Sequence, residues 1–83
     1  MDRAALLELR NSLGLTQTEF ANRMGVSFRA YQDLEAGISK LRPVHVMAAE
    51  RAALAYAVET EQPMLAPAGV RRDAVKLAKL LGK

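Results

Sequence analysis

Arg29, Gln32 and Asp33 stand at i, i+3 and i+4, a spacing that sets a guanidinium, a carboxamide and a carboxylate on one face of an α-helix. Their chemistry is recognition by hydrogen bonding. A guanidinium pairs with O6 and N7 of guanine, a carboxamide pairs with the adenine edge, and a carboxylate accepts from the cytosine amine. Asp33, four residues beyond Arg29, is also placed to orient that guanidinium or to repel a misplaced phosphate. Nothing in the chain suggests a reaction. His45 is the single histidine, cysteine is absent, and no two carboxylates share an apolar setting that would raise one pKa. No catalytic residue, metal ligand, cofactor or small-molecule ligand is expected, and the chain reads as a non-enzyme. His45 reads as a surface or phosphate-side group, and Met24, Met47 and Met64 as core or connector filler.

The elements that must position such residues are helical. Helix formers dominate, β-branched residues are scattered, and Gly and Pro cut the 83 residues into short lengths. Ala5, Leu6, Leu9 and Leu13 lie at helical spacing over Arg3 to Leu13, with Gly14 as a stop. Thr16 and Glu19 form a capping-box pattern that opens a second helix ending near Met24. Gly25 supplies the turn, Val26 an apolar plug, and Ser27 a cap for a third helix over Phe28 to Ala36 that ends at Gly37. On that helix Tyr31 and Leu34, followed by Ile38, are read as pointing inward, and Arg29, Gln32, Asp33 and Ala36 as the opposite face. Pro43 begins a fourth helix reaching about Glu61. Gln62 to Gly69 reads as a connector, and Val70, Ala74, Leu77, Ala78 and Leu81 as the apolar stripe of a last helix. One domain follows: residues 1–61, extended by a connector and a basic C-terminal helix, 62–83, that serves packing or dimerisation or carries its basic residues to a polyanion.

A chain of this length buries only about 60% of its unfolded surface, so its core must be efficient or shared with a second subunit. The fourth helix is apolar nearly all round, which also asks for a second cover. Absent cysteine fits a reducing compartment, no apolar run reaches membrane-spanning length, and the opening residues lack a secretory pattern. A cytoplasmic, non-membrane protein is expected.

Two short helices joined by a Gly-containing turn have the outline of a helix-turn-helix. The run Leu15-Thr16-Gln17-Thr18-Glu19-Phe20-Ala21-Asn22-Arg23-Met24-Gly25-Val26-Ser27, closed by Leu34-Glu35-Ala36-Gly37, resembles the lambda-repressor-like, or xenobiotic-response-element, helix-turn-helix family over about Leu6 to Leu54. The resemblance implies a compact all-α domain of five helices, with the helix-turn-helix at helices two and three and double-stranded DNA as partner. Base contacts are then expected from Phe28, Arg29, Gln32 and Asp33. Phe28 departs from the polar residue that the family places there, and a thymine methyl is the contact it suits. Phosphate contacts are expected from Thr16 and Gln17 at the start of the second helix, from Ser27, and from Arg23, Lys40 and Arg42. The family also pairs a basic residue of helix one with the Glu of Leu-Glu-x-Gly, which implies a structural ion pair of Arg10 with Glu35.

A homodimer on a palindromic operator is the expected assembly. Size and resemblance together suggest a small repressor without a separate sensing domain, of the kind that accompanies phage, plasmid or mobile-element genes as an autoregulator, an antitoxin or an anti-CRISPR-associated repressor. The alternative is an interaction module of the same fold, binding a partner protein through the fourth and last helices. Charge alone does not decide. Residues 1–41 carry five basic and five acidic side chains, so the net +3 lies in residues 42–83, with five basic against one acidic from Val70 to Lys83.

Overall fold

The computed structural model describes residues 1–82; Lys83, the last of the basic C-terminal residues, lies outside them. Five α-helices follow in order: α1 Arg3–Leu13, α2 Gln17–Met24, α3 Phe28–Ala36, α4 Pro43–Glu59 and α5 Ala68–Leu81, with a 3₁₀ turn at Pro63–Leu65. No strand occurs among the described residues. The fold is all-α.

Short polar residues start the first three helices. Asp2 accepts from the Ala5 amide at 2.8 Å, Thr16 from the Glu19 amide at 3.1 Å and Ser27 from the Ala30 amide at 3.1 Å, each satisfying an N–H that has no partner within its helix. The Glu19 carboxylate returns the favour, accepting from the Thr16 amide at 2.9 Å. Each such cap contributes about 1 kcal/mol. At the other end of α2, Gly25 has φ 78°, and its neighbour Val26 donates to the Ala21 carbonyl at 3.0 Å. That left-handed residue turns the chain sharply enough to start α3 three residues later.

The core gathers Leu6 and Leu13 of α1, Phe20, Ala21 and Met24 of α2, Tyr31 and Leu34 of α3, and Ala49, Ala52 and Ala53 of α4. Phe20 meets Tyr31 edge-on, centroids 5.7 Å apart at 76°. The apolar fourth helix divides by size. Ala49, Ala52, Ala53 and Ala57 face inward, where a thin helix lets α2 approach closely, and Val44, Met47 and Val58 face out.

Three expectations are corrected. Ile38 does not point inward with Tyr31 and Leu34; it is 75% exposed, because the left-handed Gly37 (φ 79°) ends the 100° periodicity before Ile38 is reached. The fourth helix closes at Glu59 rather than Glu61, where Glu61 takes a positive φ of 55°. Gly69 belongs to the first turn of α5 and not to the connector, since Pro67 sets an extended backbone (ψ 150°) from which the helix starts at Ala68.

Candidate nucleic-acid interface

Glu35, on the last turn of α3, organises the site. Its Oε2 accepts from Arg10 Nε of α1 at 2.7 Å and from the Tyr31 hydroxyl, and its Oε1 accepts from Arg10 Nη2 at 3.2 Å and from Gln17 Nε2 of α2 at 2.8 Å. Arg10 Nη1 donates to the Leu15 carbonyl at 3.0 Å, which ties the α1–α2 turn to the same cluster. The Arg10 and Glu35 side chains keep only 15% and 9% of their surface exposed. Burial by itself would raise the Glu35 pKa, but the hydrogen bonds from Arg10, Tyr31 and Gln17 outweigh it and hold the carboxyl below its ordinary value. Burial, and then the bond to Glu35, push the Tyr31 phenol well above its ordinary value.

The cluster reaches the surface through Gln17. Gln17 Oε1 accepts from Gln32 Nε2 at 3.5 Å, a long bond that nonetheless places the carboxamides of α2 and α3 side by side. Gln17, Gln32, Arg29, Asp33 and Ile38 line one shallow open concavity on the outer side of α3. Arg29 is 84% exposed there, and its Nε lies 3.4 Å from Asp33 Oδ1. An exposed i,i+4 pair of this kind contributes only a few tenths of a kcal/mol, so Asp33 aims the guanidinium without holding it.

A family model described as helix-turn-helix matches residues 6–52, more than half of the chain. The protein belongs to the lambda-repressor-like helix-turn-helix family. No curated protein and no solved structure matches it. Domains of this family bind DNA and serve as regulators rather than enzymes, and no helix of the described residues is long and apolar enough to cross a membrane. In a helix-turn-helix the second helix is the recognition helix, and α3 holds that position here.

The expected contact residues divide by location. Phe28 and Arg29 occupy the exposed first turn of the recognition helix, Gln32 and Asp33 the next. Thr16 and Ser27 are capping residues, each with its hydroxyl committed to its own helix. At the α2 N-terminus the Glu19 carboxylate occupies one side, held below its ordinary pKa by the Thr16 amide. An anion there is thus left with the Gln17 and Thr18 amides. Lys40 and Arg42 are exposed in the loop between α3 and α4, and the Arg42 amide donates to His45 Nδ1 at 2.9 Å. Arg23 lies apart, at the far end of α2. It pairs with Glu59, and its guanidinium stands 4.6 Å from the Tyr56 ring centroid, joining α2 to α4.

Sequence reading missed two participants. Tyr31 was a core residue by its spacing, and its hydroxyl on Glu35, four residues ahead, was the overlooked signal. Arg3 lays its guanidinium over Gly37, where a side chain on that glycine would collide with it; nothing in the local pattern of α1 pointed there.

The cluster makes stability depend on acid. A carboxyl whose pKa is lowered on folding contributes stability above its ordinary value of 4.5 and loses it as pH falls through the lowered value. Urea melts from neutral pH downward should therefore show the wild-type protein losing its advantage over Glu35→Gln below that range. Parallel pH curves for the two proteins would contradict the assignment.

Proposed function

We propose that the protein is a sequence-specific transcriptional regulator, a dimeric repressor of the phage or mobile-element type that binds a palindromic operator and blocks it by occupancy. The observation that supports this reading is the shared concavity. Gln17, at the phosphate-facing start of α2, and Gln32, on the recognition helix, are joined to each other and anchored through Glu35 to Arg10 at the partly buried contact of α1 with α3. Groups pre-positioned in this way lose little side-chain entropy when they bind. Arg29 reads a guanine and Gln32 an adenine edge, Asp33 orients Arg29, and Phe28 rests on a thymine methyl. The Gln17 and Thr18 amides, with Lys40 and Arg42 on the flanking loop, bind backbone phosphates. Thr16 and Ser27 support those contacts as caps, and Arg23 stands at the outer edge of the footprint.

The test is an anisotropy titration on the DNA just upstream of the gene at several salt concentrations. Arg29→Ala should lose about 1–3 kcal/mol of discrimination, roughly fivefold to 150-fold, in favour of the cognate site. Binding to random duplex should change far less. Lys40→Ala should weaken both and reduce the salt slope by about 0.9 for each copy bound. Equal losses on cognate and random DNA for Arg29→Ala would remove it from base reading.

A further inference from the structure

Arg3, Leu6 and Arg10 recur at i, i+3 and i+7 on α1, so they share one face of that helix, the face turned toward α3. Each meets something different there. Leu6 is fully buried in the core, and Arg10 spends its guanidinium on Glu35 and the Leu15 carbonyl. Arg3 is exposed and lies over Gly37, its Cζ 3.1 Å from where a Cβ on that glycine would stand. No carboxylate holds it: the ion pairs of the described residues are Arg10–Glu35, Arg23–Glu59 and Arg29–Asp33. The neighbouring Asp2 carboxylate is committed to the Ala5 amide as the cap of α1. What places Arg3 is shape and dipole. Gly37 has no side chain to push it away, and the end of α3, with no basic residue in its own last turn, carries the negative pole of that helix.

We propose that Arg3 is a further contact to the DNA backbone, a phosphate-binding cation that α1 carries to the end of the recognition helix. The proposal rests on the DNA-binding reading above and adds a contact from outside the helix-turn-helix itself. Position supports it first. Ala36 and Ile38, on either side of Gly37 in the chain, line the same concavity as Arg29, Gln32 and Gln17, so a guanidinium over Gly37 borders the recognition surface. Charge supports it next. From Ala36 to Ala49 the chain has no acidic residue, and Gly37 opens the loop that carries the exposed Lys40 and Arg42. Lys40 stands three residues beyond Gly37, at most about 11 Å along the backbone. A DNA strand carries one phosphate per about 3.4 Å of helix axis, so cations over Gly37 and at Lys40 span neighbouring phosphates of one strand. Availability separates Arg3 from the other arginines of α1 and α2. Arg10 and Arg23 are neutralised by Glu35 and Glu59, whereas at Arg3 no ion pair has to break when a phosphate arrives.

The test compares Arg3→Ala, Arg3→Lys and Arg3→Glu with the wild-type chain by anisotropy on cognate and random duplex at several salt concentrations, with thermal melts of each free protein. Arg3→Ala, a change at an exposed position, should keep Tm within a few degrees. It should weaken binding to both duplexes by the same factor, because a phosphate contact carries no sequence information. Its salt slope should be smaller by about 0.9 for each copy bound, so the wild-type advantage shrinks about 3.5-fold per copy between about 50 and 200 mM salt. Arg3→Lys keeps the charge and should keep most of the slope, and Arg3→Glu should bind more weakly than Arg3→Ala. An unchanged slope for Arg3→Ala, whatever happens to its Tm, overturns the contact and leaves Arg3 a structural residue at the end of α3. A slope that falls as far in Arg3→Lys as in Arg3→Ala overturns it as well. In both cases a wild type that binds the cognate duplex leaves the DNA-binding reading standing. A wild type that binds neither duplex overturns that reading and the contact together.

Discussion

Arg10→Ala melts well below the wild-type protein, with about 3–5 kcal/mol of stability lost. For a domain of this size that corresponds to a fall in Tm of roughly 12–40 °C. The magnitude follows from burial. Removing an exposed partner would cost less than about 1 kcal/mol, but Glu35 is 91% covered, and without Arg10 its charge keeps only the Tyr31 hydroxyl and the Gln17 amide. The Leu15 carbonyl loses its donor as well. Thermal and urea melts of the free protein measure the loss. An unchanged Tm together with lost DNA binding would make Arg10 a contact residue and would overturn its structural assignment. Tyr31→Phe is the milder companion: it keeps the ring against Phe20 and removes one charge-assisted hydrogen bond, a loss of about 1.5–3 kcal/mol.

Phe20→Ala should be comparably severe, at about 3–5 kcal/mol. Phe20 is fully buried, and its ring is what α2 offers to Tyr31 of the recognition helix. Ala21, Ala49, Ala52 and Ala53 of the same core are already small, so the space left by the ring has few side chains able to collapse into it. A domain of 83 residues has a total stability of about 4–12 kcal/mol. The variant is therefore expected to be largely unfolded at 37 °C, or to fold only at low temperature, by circular dichroism. Phe20→Leu, which keeps most of the volume, should retain a cooperative transition at a lower Tm. A loss below about 1 kcal/mol for Phe20→Ala would show that the α2–α3 contact is not what holds the recognition helix in place.

The helix-turn-helix was legible because its signals are local. Thr16 with Glu19, Gly25, Ser27 and Gly37 act on backbone groups within four residues of themselves, and the bounds of α1 and α3 come out at the residues their caps and glycines indicate. Ile38 was misread by the same local logic carried one residue too far. A helical wheel describes only residues that share one axis, and Gly37 ends that axis. The outward face of Arg29, Gln32 and Asp33 lies wholly within α3, and it could be read from spacing.

What spacing could not contain is the company that Glu35 keeps. Tyr31 stands four residues before it on α3, but the donors from positions 10 and 17 lie on other helices, and only the packing of α1 and α2 against α3 brings them within hydrogen-bond reach. The commitment of Arg23 to Glu59, 36 residues away, has the same origin. Composition showed α4 to be apolar nearly all round, but which side faced the core was decided by fit. Alanines allowed the close approach of α2, and the larger Val44, Met47 and Val58 were left outside. By itself, then, the sequence determined the fold class, the helix-turn-helix and the face that α3 presents, because caps, turns and periodicity act over a few residues. The tertiary structure alone decided that Gln17 and Gln32 are anchored to a partly buried ion pair and that the last turns of α5 stand without cover. Both are matters of which distant surfaces meet, and a one-dimensional pattern of side chains does not carry that information.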